Sequence, residues 1–127
     1  MKRKWMLPLV LWSIVLLFLT WYPKVEMPDL GFEAQDKVAH ITVFFILGLL
    51  ACRAFSKYEI KRMPDAVRVS LIFGIPFGCI DEIVQIWIPG RSFDILDGLA
   101  NIVGVLFAVL LFSKLLFTLL HKHRMLW

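Results

Sequence analysis

Four long apolar runs occupy most of this 127-residue chain, and they restrict its possible folds more than any other feature. They cover approximately residues 5–21, 38–55, 69–88 and 95–120, and each is near or above the roughly 17 to 25 residues that a membrane-spanning helix needs. A soluble domain of this length has too little interior for a chain that is 60% hydrophobic and only 19% charged. The sequence therefore predicts an all-α fold, a single transmembrane domain over residues 1–127 in which four helices form a polytopic bundle in the lipid bilayer.

The positions of lysine and arginine predict how this bundle lies across the membrane. Of the fourteen, eleven precede the first run, lie near the connection between the second and third runs, or lie near the C-terminus, whereas three lie on the opposite side. Basic loops next to a span remain on the cytoplasmic side, so both termini are expected there, an N-in, C-in arrangement. No small-residue cleavage site follows the first run, which favours a retained anchor over a signal peptide.

Several function classes are not expected from the composition and motifs. The net charge of +4 would suit nucleic acid, but the basic residues flank apolar runs and form no stripe with interleaved aromatics. Cys52 and Cys79 lie inside apolar runs without CxxC spacing, which is typical of small buried side chains. The sequence has no nucleophile motif, phosphate-binding loop or paired-histidine zinc signature, so no cofactor or metal is predicted and catalytic residues stay unassigned.

Polar residues are concentrated at the predicted outer ends of the second, third and fourth helices. Asp81 and Glu82 should lie roughly 10 Å below the outer end of the third helix, where a charged carboxylate costs on the order of 2.5 to 3.5 kcal/mol unless it is hydrated, paired or protonated. Asp94 is placed to cap the fourth helix, and Arg91 offers a donor fork suited to a carboxylate or phosphate. The predicted outward-facing pocket comprises Asp36, Lys37, His40, Asp81, Glu82, Gln85, Arg91, Ser92, Asp94, Asp97 and Asn101.

The spacing of these residues resembles that of the VanZ-like family of bacterial membrane proteins. The resemblance covers roughly residues 36–111 and leaves out the first run and the basic C-terminal tail. It departs at Ala108, where a glycine is expected. The matching pattern is Asp36-Lys37-x-x-His40 with Gly48, then Gly78-x-x-Asp81-Glu82-x-x-Gln85, then Pro89-Gly90-Arg91-x-x-Asp94-x-x-Asp97-x-x-x-Asn101-x-x-Gly104.

The resemblance implies a cell-envelope role in the bacterial inner (cytoplasmic) membrane, as a multi-pass protein. The family takes its name from a protein associated with resistance to the glycopeptide antibiotic teicoplanin. Antibiotic resistance in this chain is therefore an expectation by resemblance.

Three interpretations of the polar residues stay open at this point. The first is a pocket that binds an envelope lipid headgroup, a glycan or a glycopeptide. The second is a membrane-embedded enzyme acting on a lipid-linked substrate, with general acid and base chemistry or a metal at His40, Asp81, Glu82 and Asp97. The third is a structural network that ties the helix ends together. The sequence does not determine the oligomeric state.

Overall fold

A computed structural model of the chain describes residues 3–21, 31, 34–56 and 63–124, and within these ranges every regular element is helical. Helix α1 spans Met6–Trp21 and follows a single 3-10 turn at Arg3–Trp5. Helix α2 spans Gln35–Phe55, and α3 spans Met63–Val84 and continues into a 3-10 turn at Gln85–Trp87. Helix α4 spans Ile95–Arg124. The predicted all-α bundle is confirmed.

Three of the helices extend at one end beyond the apolar runs that predicted them. Helices α2 and α3 begin before the expected residues 38 and 69, and α4 continues past the expected residue 120. Apolar runs mark the part of a helix that suits lipid, whereas backbone hydrogen bonding continues into polar flanks. Much of the predicted first and second loops lies outside the described residues.

In the part of the chain that the structure describes, three helical segments are long and apolar enough to cross a membrane, namely Gln35–Phe55, Asp65–Trp87 and Ile95–Leu119. Helix α1 is apolar but has only 16 residues, which corresponds to about 24 Å at 1.5 Å per residue. Large apolar side chains are exposed on the outer faces of the bundle, among them Phe18, Ile72, Leu110 and Phe117. Such an apolar surface suits lipid as the solvent. The N-in, C-in orientation stays a prediction.

Helices α2 and α4 run parallel and pack more extensively than any other pair of described elements. Gly104 of α4 permits this approach, because a Cβ there would collide with the Ile41 carbonyl and lie 2.9 Å from the Phe45 nitrogen. At Gly48 of α2, a Cβ would lie 2.6 Å from that of Ala108. Small residues of this kind let membrane helices approach each other closely. Ala108, the departure from the family pattern, therefore lies opposite a glycine.

The remaining packing brings one end of every helix to the same side of the molecule. Helix α3 is antiparallel to α4, since Gly78 lies against Asn101 and Gly74 against Val105. A core that includes Leu9, Leu16, Phe44, Leu47, Ala51 and Val105 fills the bundle. The C-terminal ends of α1 and α3 therefore meet the N-terminal ends of α2 and α4, and we refer to this side as the polar end.

Candidate functional site

At the polar end, Lys37 in the first turn of α2 connects that helix to α4. Its ammonium donates hydrogen bonds to Asp94 Oδ2, at 3.0 Å, and to Asp97 Oδ1. Asp36 Oδ2 lies 3.6 Å from the same nitrogen. Asp97 is 8% exposed, and buried charges are stable in proteins when they are paired in this way. Lys37 is therefore a counter-ion for the acids of α4.

Asp94 caps α4, as predicted from the sequence. Its Oδ1 accepts a hydrogen bond of 2.8 Å from the backbone nitrogen of Leu96, two residues further along the chain. This satisfies one of the donors that the first turn of any helix leaves without an intrahelical partner. Hydrogen bonds from Lys37 and from the Leu96 nitrogen hold the pKa of Asp94 below its usual range.

His40 and Asn101 connect three helices. His40 Nδ1 lies 2.8 Å from Asn101 Oδ1, and Asn101 Nδ2 donates to the Gly78 carbonyl of α3 at 3.2 Å. His40 Nε2 lies 3.6 Å from Asp97 Oδ2 and 3.9 Å from Asp36 Oδ1. Because Asn101 is fully buried, this side chain fixes the relative rotation of α3 and α4.

Glu82 is buried, and both of its carboxyl oxygens have partners. Oε2 accepts a hydrogen bond from Gln85 Nε2 at 3.1 Å, and Oε1 accepts one from the backbone nitrogen of Asp94 at 3.0 Å. Gln85 reaches Glu82 because residues three apart are stacked where α3 tightens into its 3-10 turn. Glu82 thereby ties the end of α3 to the segment that leads into α4.

Asp81 lies in different surroundings, although it is adjacent to Glu82. The Thr20 hydroxyl, at the end of α1, shares its hydrogen between the Leu16 carbonyl at 2.7 Å and Asp81 Oδ2 at 3.2 Å. Asp81 is 1% exposed, and its Oδ1 has no hydrogen-bond partner within the described part of the chain. Most buried polar atoms in proteins have a partner, so this oxygen is a candidate contact for a ligand.

A cavity of about 320 Å³ adjoins Asp81 between α1, α2, α3 and Arg91. Arg91 donates from Nη2 to the Leu19 carbonyl at 3.0 Å, where the C-terminal end of α1 favours a cation. Apolar side chains form one part of the wall and polar ones the other. The lining residues are Leu16, Leu19, Thr20, Gln35, Asp36, Ala39, His40, Val43, Phe44, Asp81, Gln85 and Arg91.

The structure therefore divides the predicted pocket into two adjoining regions. The cavity includes Asp36, His40, Asp81, Gln85 and Arg91 of the predicted set. The other region is a network between α2, α3 and α4, comprising Lys37, Glu82, Asp94, Asp97 and Asn101. Ser92 is exposed in the segment before α4, and within the described ranges no hydrogen bond joins its side chain to either region.

Sequence reasoning missed the contribution of α1 to the cavity. Thr20 contacts Asp81, and Trp12 Nε1 donates to the Val43 carbonyl of α2 at 3.0 Å. Both are side chains with hydrogen-bonding groups in an otherwise apolar run, which is the signal that could have identified them. Gln35 also lines the cavity and lies just before the first residue of the family pattern.

Within the described ranges, one group of side chains has the spacing of a metal site. Asp36, His40 and Asp97 each offer a ligand atom, and these atoms lie within 4.8 Å of one another. The set differs from the combination considered from sequence, because Asp36 takes the place of Asp81 and Glu82. Lys37 binds Asp97 and lies near Asp36, so a metal ion would compete with a cation that belongs to the chain.

Comparison with known proteins identifies relatives of this chain. The model of the VanZ/LLP1 family matches residues 5–118, a range that includes α1. An uncharacterized protein of the fission yeast Schizosaccharomyces pombe is 35% identical over 98 residues, which cover 77% of this chain and 58% of the yeast protein. The chain thus spans less than two thirds of that relative. No solved structure matches the chain.

Proposed function

This chain belongs to the VanZ/LLP1 family, and from that premise we propose that it is a membrane protein that binds a polar headgroup in the cavity between α1, α2 and α3. The ligand is an envelope lipid headgroup, a glycan or a glycopeptide. The observation that carries the proposal is the buried Asp81 Oδ1, which has no hydrogen-bond partner among the described residues and belongs to a side chain that lines the cavity. A carboxyl oxygen in that position is stabilised when a ligand donates to it.

The size and lining of the cavity support a headgroup as the ligand. Its volume of about 320 Å³ lies at the lower end of the range for small-molecule pockets. The polar part of the wall offers acceptors and donors from Asp81, His40 and Arg91, while Leu16 and Val43 belong to the apolar part. A molecule with a polar group and an attached apolar chain complements both parts.

The network between α2, α3 and α4 has a different role in this proposal. Hydrogen bonds join Lys37 to Asp94 and Asp97, and join Asp94 to Glu82. Asn101 binds His40 and the Gly78 carbonyl. Both carboxyl oxygens of Glu82 already accept hydrogen bonds. A satisfied polar network rigidifies a bundle and determines how its helices are rotated. The network therefore acts as the scaffold that holds the cavity open.

The location and wider role belong to the same proposal. We place the protein in the bacterial inner membrane with both termini in the cytoplasm, so that the polar end faces outward, because basic residues are concentrated on the opposite side. The yeast relative is uncharacterized and supplies no ligand. The family name suggests a role in teicoplanin resistance. Comparison of the teicoplanin susceptibility of cells with and without the gene tests that role.

Enzymatic action on a lipid-linked substrate is the second candidate, and the spacing of Asp36, His40 and Asp97 favours it. A metal held there would polarise a phosphoryl or carbonyl oxygen. Measurement of metal content in purified protein tests this candidate. Stoichiometric metal that is lost in His40→Ala supports it, and metal that is unaffected by His40→Ala contradicts binding at this position.

Lipid retention tests the headgroup proposal directly. The full chain, purified in detergent, is incubated with a mixture of envelope phospholipids, and bound lipid is identified by native mass spectrometry. Wild type should retain lipid, whereas Asp81→Asn and Arg91→Ala should retain much less. Asp65→Asn and Arg68→Ala are matched controls, because these exposed residues lie at the far end of α3.

A variant that retains less lipid must also be shown to be folded. Thermal unfolding of each variant, followed by circular dichroism, separates loss of binding from loss of fold. Equal retention by wild type, Asp81→Asn and Arg91→Ala would contradict the proposal, since the cavity would then play no part in binding.

A further inference from the structure

We infer that the headgroup bound in this cavity is a phosphate linked to a primary ammonium, as in an ethanolamine phospholipid, with the ammonium at Asp81. The inference rests on the proposed function and specifies its ligand. Three features of the cavity support it: the open acceptor on Asp81, the distribution of charge along the wall, and the apolar side chains beside the polar ones.

The first feature determines which partner donates the hydrogen bond between Asp81 and the ligand. Thr20 is bound to Asp81 Oδ2, while Oδ1 has no partner among the described residues. The ligand group at Oδ1 must therefore carry N–H or O–H. An ammonium has three such hydrogens, and its hydrogen bond to a carboxylate is assisted by charge.

The second feature selects an ammonium over a neutral hydroxyl. Among the described residues, two carboxyl groups line the cavity, those of Asp36 and Asp81. Among the described residues of the wall, Arg91 has the permanent positive charge. An anion alone would be attracted by Arg91 and repelled by Asp81. A cation alone would be attracted by Asp81 and repelled by Arg91. A group with both charges places its phosphate toward Arg91 and its ammonium toward Asp81.

The third feature concerns the source of this headgroup. The apolar part of the wall is formed by Leu16, Leu19, Val43 and Phe44. These residues lie on helices of a bundle whose outer faces suit lipid. Acyl chains attached to the phosphate would extend along that wall. Free phosphoethanolamine has the same polar chemistry without the chains, so the two sources are separated by experiment.

The test compares ligands that differ by one chemical feature. The full chain in detergent is titrated with phosphatidylethanolamine, its mono- and dimethylated forms, phosphatidylcholine and phosphatidylglycerol, and binding is measured by native mass spectrometry. Methylation keeps the positive charge and removes N–H donors one at a time. We expect the affinity to fall along this series, with a loss of about tenfold between the first and last members.

Substitution at Asp81 links that preference to this site. Asp81→Asn should reduce the ratio of ethanolamine to choline affinity toward one, while Asp65→Asn should leave it unchanged. If Asp81→Asn does not fold, the methylation series on wild type decides the inference. Weaker binding of free phosphoethanolamine than of the lipid supports a membrane source, and equal binding supports the same chemistry from a soluble source.

Other outcomes overturn the inference in distinguishable ways. Equal affinity for the ethanolamine, choline and glycerol lipids, reduced for all by Asp81→Asn, would overturn ammonium recognition and leave the headgroup pocket intact. Preference for phosphatidylglycerol would indicate a hydroxyl donor and also overturn it. Absence of binding to every lipid and to free phosphoethanolamine would overturn this inference together with the lipid-headgroup form of the proposed function.

Discussion

The carboxyl groups of Asp81 and Glu82 belong to adjacent residues of α3 and serve different parts of the molecule. Glu82 accepts hydrogen bonds from Gln85 and from the backbone of Asp94, whereas Asp81 lines the cavity and has an oxygen without a partner in the described ranges. Successive side chains on a helix point about 100° apart. One acid is thereby assigned to the scaffold and its neighbour to the candidate ligand.

Removal of the Glu82 carboxyl group should destabilise the fold. Glu82→Ala leaves the buried amide of Gln85 and the Asp94 nitrogen without their acceptor, and we expect a loss of about 1–3 kcal/mol in the free energy of unfolding. Chemical denaturation in detergent measures it. Ile83→Ala is the control, because that side chain is 44% exposed on the outer face; an equal loss in both variants would contradict the assigned role.

Lys37 and Asp97 should be energetically coupled, because they join α2 and α4. Lys37→Met leaves the buried Asp97 without its counter-ion, so we expect it to cost more in wild type than in the Asp97→Asn background. A double-mutant cycle on the free energy of unfolding should give a coupling of about 0.5–3 kcal/mol. Additive effects would show that the ion pair contributes nothing to stability.

The close contact of α2 with α4 should make Gly104 intolerant of a side chain. Gly104→Ala places a methyl group against the backbone of Ile41 and Phe45, and we expect about 1–3 kcal/mol of destabilisation or more from this overpacking. Gly98→Ala, on the same helix, meets only an ordinary contact at 3.8 Å from Glu82 and should be tolerated. Thermal unfolding and size-exclusion profiles compare the two; equal behaviour would contradict the packing.

The free energy of unfolding should decrease at acidic pH, and protonation of Asp94 should account for part of that decrease. Its pKa is lower in the folded protein than in the unfolded chain because of Lys37 and the Leu96 nitrogen, so the unfolded state binds more protons in that range. The contribution is therefore present above the ordinary aspartate pKa and lost as the pH falls through the folded value. Thermal unfolding across that range should show it, and Asp94→Asn should weaken the dependence. An unchanged pH profile in Asp94→Asn would contradict this account.

The N-in, C-in orientation predicts which sites are accessible from outside the cell. Ser92→Cys lies at the polar end and Lys122→Cys lies near the end of α4, and both positions are exposed. In a background without Cys52 and Cys79, a membrane-impermeant maleimide should label Ser92→Cys in intact cells. It should label Lys122→Cys only after permeabilisation. The opposite pattern would reverse the predicted orientation.

Much of the architecture could be predicted from the sequence because lipid selects for composition. The apolar runs identified the four helices, and the family pattern between Asp36 and Gly104 identified most of the described polar residues at their shared end. Polar groups within apolar helices are rare and are usually functional or paired. Exact helix ends were missed, because a helix continues beyond the residues that suit lipid.

The partners of individual side chains could not be predicted. Thr20 lies outside the pattern that carried the resemblance, yet its hydroxyl binds Asp81. That contact depends on how closely α1 lies against α3, which no local feature of either run specifies. The partners of Lys37 could not be predicted either, because Asp94 and Asp97, at the start of α4, follow it by 57 and 60 residues.

The sequence by itself determined that the chain forms apolar helices for a membrane and that acids gather at one end of them, because composition and helical periodicity are local properties. Only the tertiary structure decided which acid contacts the cavity and which belongs to the scaffold. That division depends on the rotation of α3 at its close contacts with α4, where Gly74 lies against Val105 and Gly78 against Asn101. Small residues permit that approach, but the packing of the whole bundle sets the angle at which it occurs.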